Sequence, residues 1–174
     1  MSKQIKYLSA KKRGFLLVEM LVYIGLLVII TLSTIFLMLS LRDLLDLYRA
    51  DQEVFKNAQG ALERMLYEIR GADAVNITDP DTVLIDSPGH LVLSQGTSTS
   101  EFSLENGAVM LTVNEEERGP LTQNDVVVDE LRFFQYDNGT TEAVRVQITI
   151  SAAVGEAEST ATFNAAAVLL SSYD

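Results

Sequence analysis

The stretch Lys11–Leu41 reads KKRGFLLVEMLVYIGLLVIITLSTIFLMLSL, and the rest of the chain is organised around it. From Phe15 to Leu41 there are 27 residues and one formal charge, Glu19. A helix of that length spans about 40 Å, enough to cross a hydrocarbon core of about 30 Å with tilt. A carboxylate at the centre of a membrane helix costs about 2.5–3.5 kcal/mol, and less near the interface. Glu19 therefore calls for a partner. The flank before it carries Lys3, Lys6, Lys11, Lys12 and Arg13 and no acid. By the positive-inside rule that flank stays in the cytoplasm and everything after Leu41 lies outside.

A cleavable secretory signal would have an apolar core of about 7–15 residues and a small-residue cleavage site. The run here is longer, and no such site follows it. A plain signal anchor, with Glu19 near the headgroups, is the simpler alternative. The order of features points further. A basic leader, Gly14, Phe15, a Glu at the fifth position counted from Phe15, and a long apolar helix together resemble the type IV pilin and pseudopilin class. The resemblance is strong over residues 11–41 and reaches loosely to about residue 72.

In that family a prepilin peptidase cuts after the Gly and methylates the new N-terminal Phe. The resemblance thus implies processing at Gly14 and Phe15 and a mature chain starting at Phe15. It also implies that Glu19 pairs with the N-terminal amine of a neighbouring subunit. Each group is costly alone in an apolar bundle, and pairing them sets the axial register of the helices. The implied partners are other pilin or pseudopilin subunits, the peptidase, an inner-membrane assembly platform and the lipid bilayer. The implied site is a single-pass position in the cytoplasmic membrane, then an outer filament. Two positions depart from the family: Leu16 stands where Thr is commonest, and Phe36 where many major pilins have Pro. Gly25 is either a point where the helix can stretch or a close packing position.

Over the full chain 13 basic side chains stand against 24 acidic ones. Without the five leader cations, 8 basic remain against 24 acidic, a balance of −16. That argues against nucleic-acid binding through a basic face. There is no Cys, so thiolate zinc sites, iron–sulfur clusters, disulfides and Cys nucleophiles are excluded.

After Leu41 the pattern turns amphipathic. Leu44, Tyr48, Phe55, Ala58, Leu62, Met65, Ile69 and Ala72 recur at helical spacing, with charged residues between them. No Pro interrupts Phe15–Ala72, so one helix of about 87 Å is expected, ending near Gly71. Beyond residue 74 the period is two. Candidate strands are Val75–Thr78, Thr82–Asp86, His90–Ser94, Ser100–Leu104, Ala108–Asn114, Val126–Tyr136, Ala143–Ala153 and Ser159–Leu169. Turn chemistry separates them at Ser87-Pro88-Gly89, Asn106-Gly107, Gly119-Pro120 and Asn138-Gly139. Gln95–Ser100 reads as a polar loop, and the tail as either a last strand or a short helix. The expected fold class is α+β: a helix spine covered by one face of an antiparallel sheet. The expected segments are a leader 1–14, a membrane half 15–41, an amphipathic spine 42–72 and a β-rich domain 73–174.

Chemistry is sparse. His90 is the only His and reads as a surface or strand-edge residue. No phosphate-binding glycine motif is present. Asp79, Asp81 and Asp86, and the run Glu115–Glu117, do not match an EF-hand and read as solvated loops. Asn76-Ile-Thr78 and Asn138-Gly-Thr140 fit a glycosylation acceptor without further support. No cofactor or metal is expected, and no enzymatic activity. The segments LERMLYEIRGADAV, FSLENGAVMLTV and NDVVVDELRFFQYDN are loosely similar to minor subunits of the PilW and J-type pseudopilin group. That would imply priming or capping of a pilus-like or type II secretion filament. The alternative is a single-span anchored binding or adhesin domain outside any filament.

Overall fold

The computed structural model describes residues 3–139 and 141–170, with side chains from Leu16 onward. The chain forms one helix, α1 (Lys3–Gly71), followed by strands only. The strands are β1 (Ala74–Val75), β2 (Leu91–Gln95), β3 (Ser98–Glu105), β4 (Ala108–Val113), β5 (Glu116–Pro120), β6 (Val127–Asp137), β7 (Glu142–Val154) and β8 (Ala157–Val168). The fold is α+β. Two compact units divide it, Met1–Leu45 and Asp46–Asp174. The first is helical throughout its described part, and its side chains from Leu16 to Leu44 are exposed.

In the second unit, α1 packs on two antiparallel sheets. One has the order β1-β2-β3-β4-β5 and the other β6-β7-β8. Within each sheet the strands pair in sequence order, and β5 and β6 do not pair. The single sheet expected from the sequence is therefore two. Each sheet turns one face to α1. Phe102, Val109 and Leu111 come from the first, and Leu131, Phe133, Val144, Val146, Ile148 and Ile150 from the second. The helix contributes Ala50, Val54, Ala58, Ala61, Leu62, Met65 and Ile69.

That buried stripe corrects the sequence reading. Leu44, Tyr48 and Phe55 were expected in the core and are exposed by 64%, 57% and 59%. The buried stripe runs through Ala50, Val54, Ala58 and Ala61, and Tyr48 and Phe55 lie outside its arc. The buried rings of the core, Phe102 and Phe133, come from the sheets and pack over these small side chains. The solvated side of the helix is as expected: Arg49 pairs with Asp46, Lys56 with Glu53, and Arg64 with Glu68.

Three stretches of the β region differ from the alternation pattern. Thr82–Asp86 forms no strand; only Val83 bridges to His90, and Ile85 takes a positive φ of 75°. Its N–H instead donates to the Phe133 carbonyl at 2.8 Å. Residues 116–120, read as part of an acidic loop and a Gly-Pro turn, form β5. Asn114 and Glu115, both at positive φ, make the turn into it. Gln95–Ser100 is a tight hairpin, with Gln95 opposite Ser98. The ambiguous tail is strand β8 up to Val168, followed by Leu169 and Leu170 outside the strand; residues 171–174 lie outside the described residues.

A bulge in β6 solves a phase problem. The register against β7 shifts between Val128 and Glu130, leaving Asp129 as the extra residue. Val128 can then point inward together with Leu131 and Phe133, which are an odd number of residues away.

Asn57 ties the helix to the end of the first sheet. It is 5% exposed, donates to the Glu53 carbonyl at 2.9 Å, and accepts from the Gln123 N–H at 2.8 Å. Asn57→Ala removes a buried amide and leaves the Gln123 N–H without this partner. The expected cost is about 1–3 kcal/mol, read as a lower thermal midpoint, whereas alanine at exposed Gln59 should change little.

Gly89 faces a second tight constraint. A Cβ there would sit 2.8 Å from the Leu131 carbonyl oxygen and 3.0 Å from the Phe133 ring. Its own N–H donates to that same carbonyl at 2.8 Å. Gly89→Ala must push the loop off β6, at an expected cost of about 1–3 kcal/mol. Faster amide exchange at Ile85 and Gly89 would be the local sign of it.

Candidate assembly site

The apolar segment satisfies its own polar side chains where it can. Thr31 donates its hydroxyl to the Leu27 carbonyl at 2.8 Å, and Thr34 to the Ile30 carbonyl at 2.9 Å. Both bonds remove a hydroxyl from contact with lipid or an apolar neighbour. Glu19 also finds a partner on its own helix. Tyr23 lies four residues on, and its phenol donates to Glu19 Oε1 at 3.3 Å. The sequence reading singled out Glu19 and missed Tyr23. The signal was present in the i, i+4 spacing, which places the two side chains on one face.

Gly14 and Phe15 lie in the helical backbone of α1, and their side chains are outside the described residues. Nothing approaches within 4 Å of a Cβ built at Gly25, so that face is open to a partner. The helix contains one stretch long and apolar enough to cross a membrane.

On the second unit Arg49, Lys56, Arg64, Arg118 and Arg132 each pair with an acid, and the acidic side chains outnumber the basic ones. One open hollow of about 540 Å³ is lined by Arg64, Glu68, Gln95, Ser98, Ser100 and Arg118. Within it Glu68 takes both the Arg64 guanidinium and the Ser100 hydroxyl, and Arg118 pairs with Glu116. His90 is engaged through Nδ1 with the Asp81 carbonyl at 2.6 Å and lies 3.9 Å from Glu101 through Nε2. Asp79 accepts from the Asp81 N–H at 3.0 Å, which uses one of the acids singled out above as a local turn cap. Among the described residues no group of three His, Asp or Glu side chains is placed to hold a metal ion. Thr140, the last residue of one glycosylation acceptor, lies outside the described residues.

The chain matches no protein-family model, no curated protein and no solved structure. Its chemistry is therefore argued from its own residues. The arrangement offers an apolar helical segment with one carboxylate, Glu19, exposed apolar side chains along it, and an outer unit with an excess of acidic side chains.

Proposed function

We propose that this chain is a pilin-like assembly subunit, anchored by its apolar helix and built into a filament through it. The observation that carries the reading is the exposure of Leu47 and Tyr48 in the folded outer unit. About 20 residues cross a hydrocarbon core, so a span starting near Leu16 is complete well before Tyr48. A lone anchored domain gains nothing by leaving large apolar groups in water there. A bundle of helices covers them. Glu19 would then exchange the Tyr23 phenol for the N-terminal amine of a neighbour. Burial of the helix among other helices would replace burial in lipid.

In this reading the basic leader stays in the cytoplasm and is removed between Gly14 and Phe15. The outer unit lies on the far side of the membrane. Priming or capping of a pilus-like or secretion filament is the role that the loose similarity to minor subunits suggests.

The test is intact mass and N-terminal sequencing of the membrane-extracted chain, with and without a prepilin peptidase. A chain beginning at N-methylated Phe15 only when the peptidase is present is the expected result. A chain that still begins at Met1 beside an active peptidase would overturn the filament reading and favour an anchored binding domain.

A further inference from the structure

The two sheets end on β1, β5, β6 and β8, and these edges differ in how they are closed. β1 is two residues long, and its Val75 N–H donates to Glu142 Oε1 at 3.3 Å. β5 is short, charged, bulged and ends in Pro120, all features that discourage pairing. β6 is covered along its length. The Val128 N–H donates to the Gly107 carbonyl, while the Leu131 and Phe133 carbonyls accept from Gly89 and Ile85, each at 2.8 Å.

β8 has none of these devices. It runs for 12 residues as AESTATFNAAAV, without Pro, in unbroken register with β7, and with Glu158 as its only charge. The direction of its backbone groups follows from one hydrogen bond. The Leu169 N–H donates to the Glu142 carbonyl across the ladder. Counting back in twos, the odd-numbered residues of β8 bond to β7. Glu158, Thr160, Thr162, Asn164 and Ala166 therefore turn their N–H and C=O groups outward. Among the described residues, no backbone group of the chain reaches them.

We propose that the outer edge of β8 is a strand-addition site for an extended segment of a partner protein, uncharged along most of its length and cationic at one end. The cationic end is set by the residues around the start of β8. Asp46 lies against Gly155, Asp51 accepts from the Ser159 hydroxyl, and Glu156 and Glu158 follow. The far end, with Asn164 and Ala166, is neutral. Between them the Phe55 ring meets Phe163 edge-on at 6.1 Å and offers an apolar seat to an alternate side chain of the added strand.

A second copy of the chain is the wrong occupant. The contacts Asp46–Gly155, Asp51–Ser159 and Phe55–Phe163 advance along α1 and β8 in the same sense. Antiparallel pairing of β8 with itself would turn the second helix end for end. A second copy also brings no cation to the acidic end, since Glu158 is the only charge of β8, and a cationic segment of another protein is the occupant that fits.

The experiment uses the full chain in detergent micelles and, for antiparallel addition to β8, the peptide acetyl-Thr-Val-Thr-Val-Thr-Val-Thr-Lys-Lys-amide as probe, read by residue-resolved amide exchange. In the free chain the amides of Thr160, Thr162, Asn164 and Ala166 should exchange faster than their odd-numbered neighbours. The peptide should slow them by about tenfold or more. A peptide with Glu-Glu in place of Lys-Lys should bind about tenfold more weakly, and Glu158→Lys should narrow that gap. Asn164→Pro removes an outward N–H without touching the β7 ladder and should weaken the basic peptide. Thr162→Lys should do the same by charge if the proline disturbs the fold. Equal protection of odd and even amides in the free chain would overturn the proposal. So would equal binding of both peptides, or protection that rises with protein concentration alone, which would assign the edge to a second copy. None of these outcomes depends on whether the leader is cleaved.

Discussion

Glu19→Ala is expected to abolish filament growth while leaving the chain in the membrane. The two effects have opposite signs. Removing the carboxylate makes the span easier to insert, by up to about 2.5–3.5 kcal/mol at a helix centre. In the bundle it leaves the neighbour's terminal ammonium without its counter-charge. Breaking a buried ion pair in this one-sided way costs about 3–5 kcal/mol. At about 1.36 kcal/mol per decade, that is roughly a hundredfold to several-thousandfold loss in subunit incorporation. The measurement is the ratio of sheared filament to membrane-held subunit in cells carrying the peptidase and the assembly machinery. Glu19→Gln separates charge from hydrogen bonding, since the amide oxygen can still accept from the Tyr23 phenol. It should fail nearly as badly as alanine. Normal filament yield from Glu19→Ala would remove the pairing from the mechanism. Tyr23→Phe should have a much smaller effect, because its bond to Glu19 is long and belongs to the waiting subunit.

Phe133→Ala should destabilise the outer unit more than any surface change. The ring is fully buried in the second sheet, under the helix and beside Gly89. Truncating a buried Phe costs about 3–5 kcal/mol, because packing is lost and the cavity relaxes only in part. With no Cys in the chain, no disulfide offsets the loss. For a unit of this size the thermal midpoint should fall by roughly 10–20 °C. Phe134 is the control: it is next in sequence but on the opposite face, where Arg145 stacks over its ring at 4.2 Å. Phe134→Ala should cost less than half as much. Equal effects from the two would mean that the faces of β6 are wrongly assigned.

The course of the helix was legible because Pro is absent up to Gly71 and because charge vanishes over one length and returns over the next. The hairpins were legible where Asn-Gly supplies the backbone the turn needs. Asn106 and Gly107 both take positive φ, 51° and 75°, as the tightest hairpin turn requires. The stripe on the helix was legible at Ala58, Leu62, Met65, Ile69 and Ala72 and misread before them, because the reading followed large side chains and so took Leu44, Tyr48 and Phe55 where Ala50, Val54 and Ala61 are buried. β5 was missed because Glu-Glu-Arg-Gly-Pro has little strand preference of its own and is held by its pairing with β4. The division into two sheets depends on which strands stop pairing, and alternation alone does not encode that. At the site, Glu19 was visible as a charge out of place. The open edge of β8 was not, because an edge is defined by what fails to cover it.

The strand order has a consequence for how the chain acquires its structure. In both sheets each strand lies beside the one made just before it. A chain emerging from its N-terminus never has to hold a strand open for a distant partner, and contact order among the strands stays low. The helix is the exception. Its inward side is complete at Gly71, before any strand exists to shelter it. Val54, Leu62, Met65 and Ile69 stand uncovered on that side until the strands arrive, and the alanines between them keep the uncovered area small. The strands made next shelter the part of the unfinished chain most apt to clump.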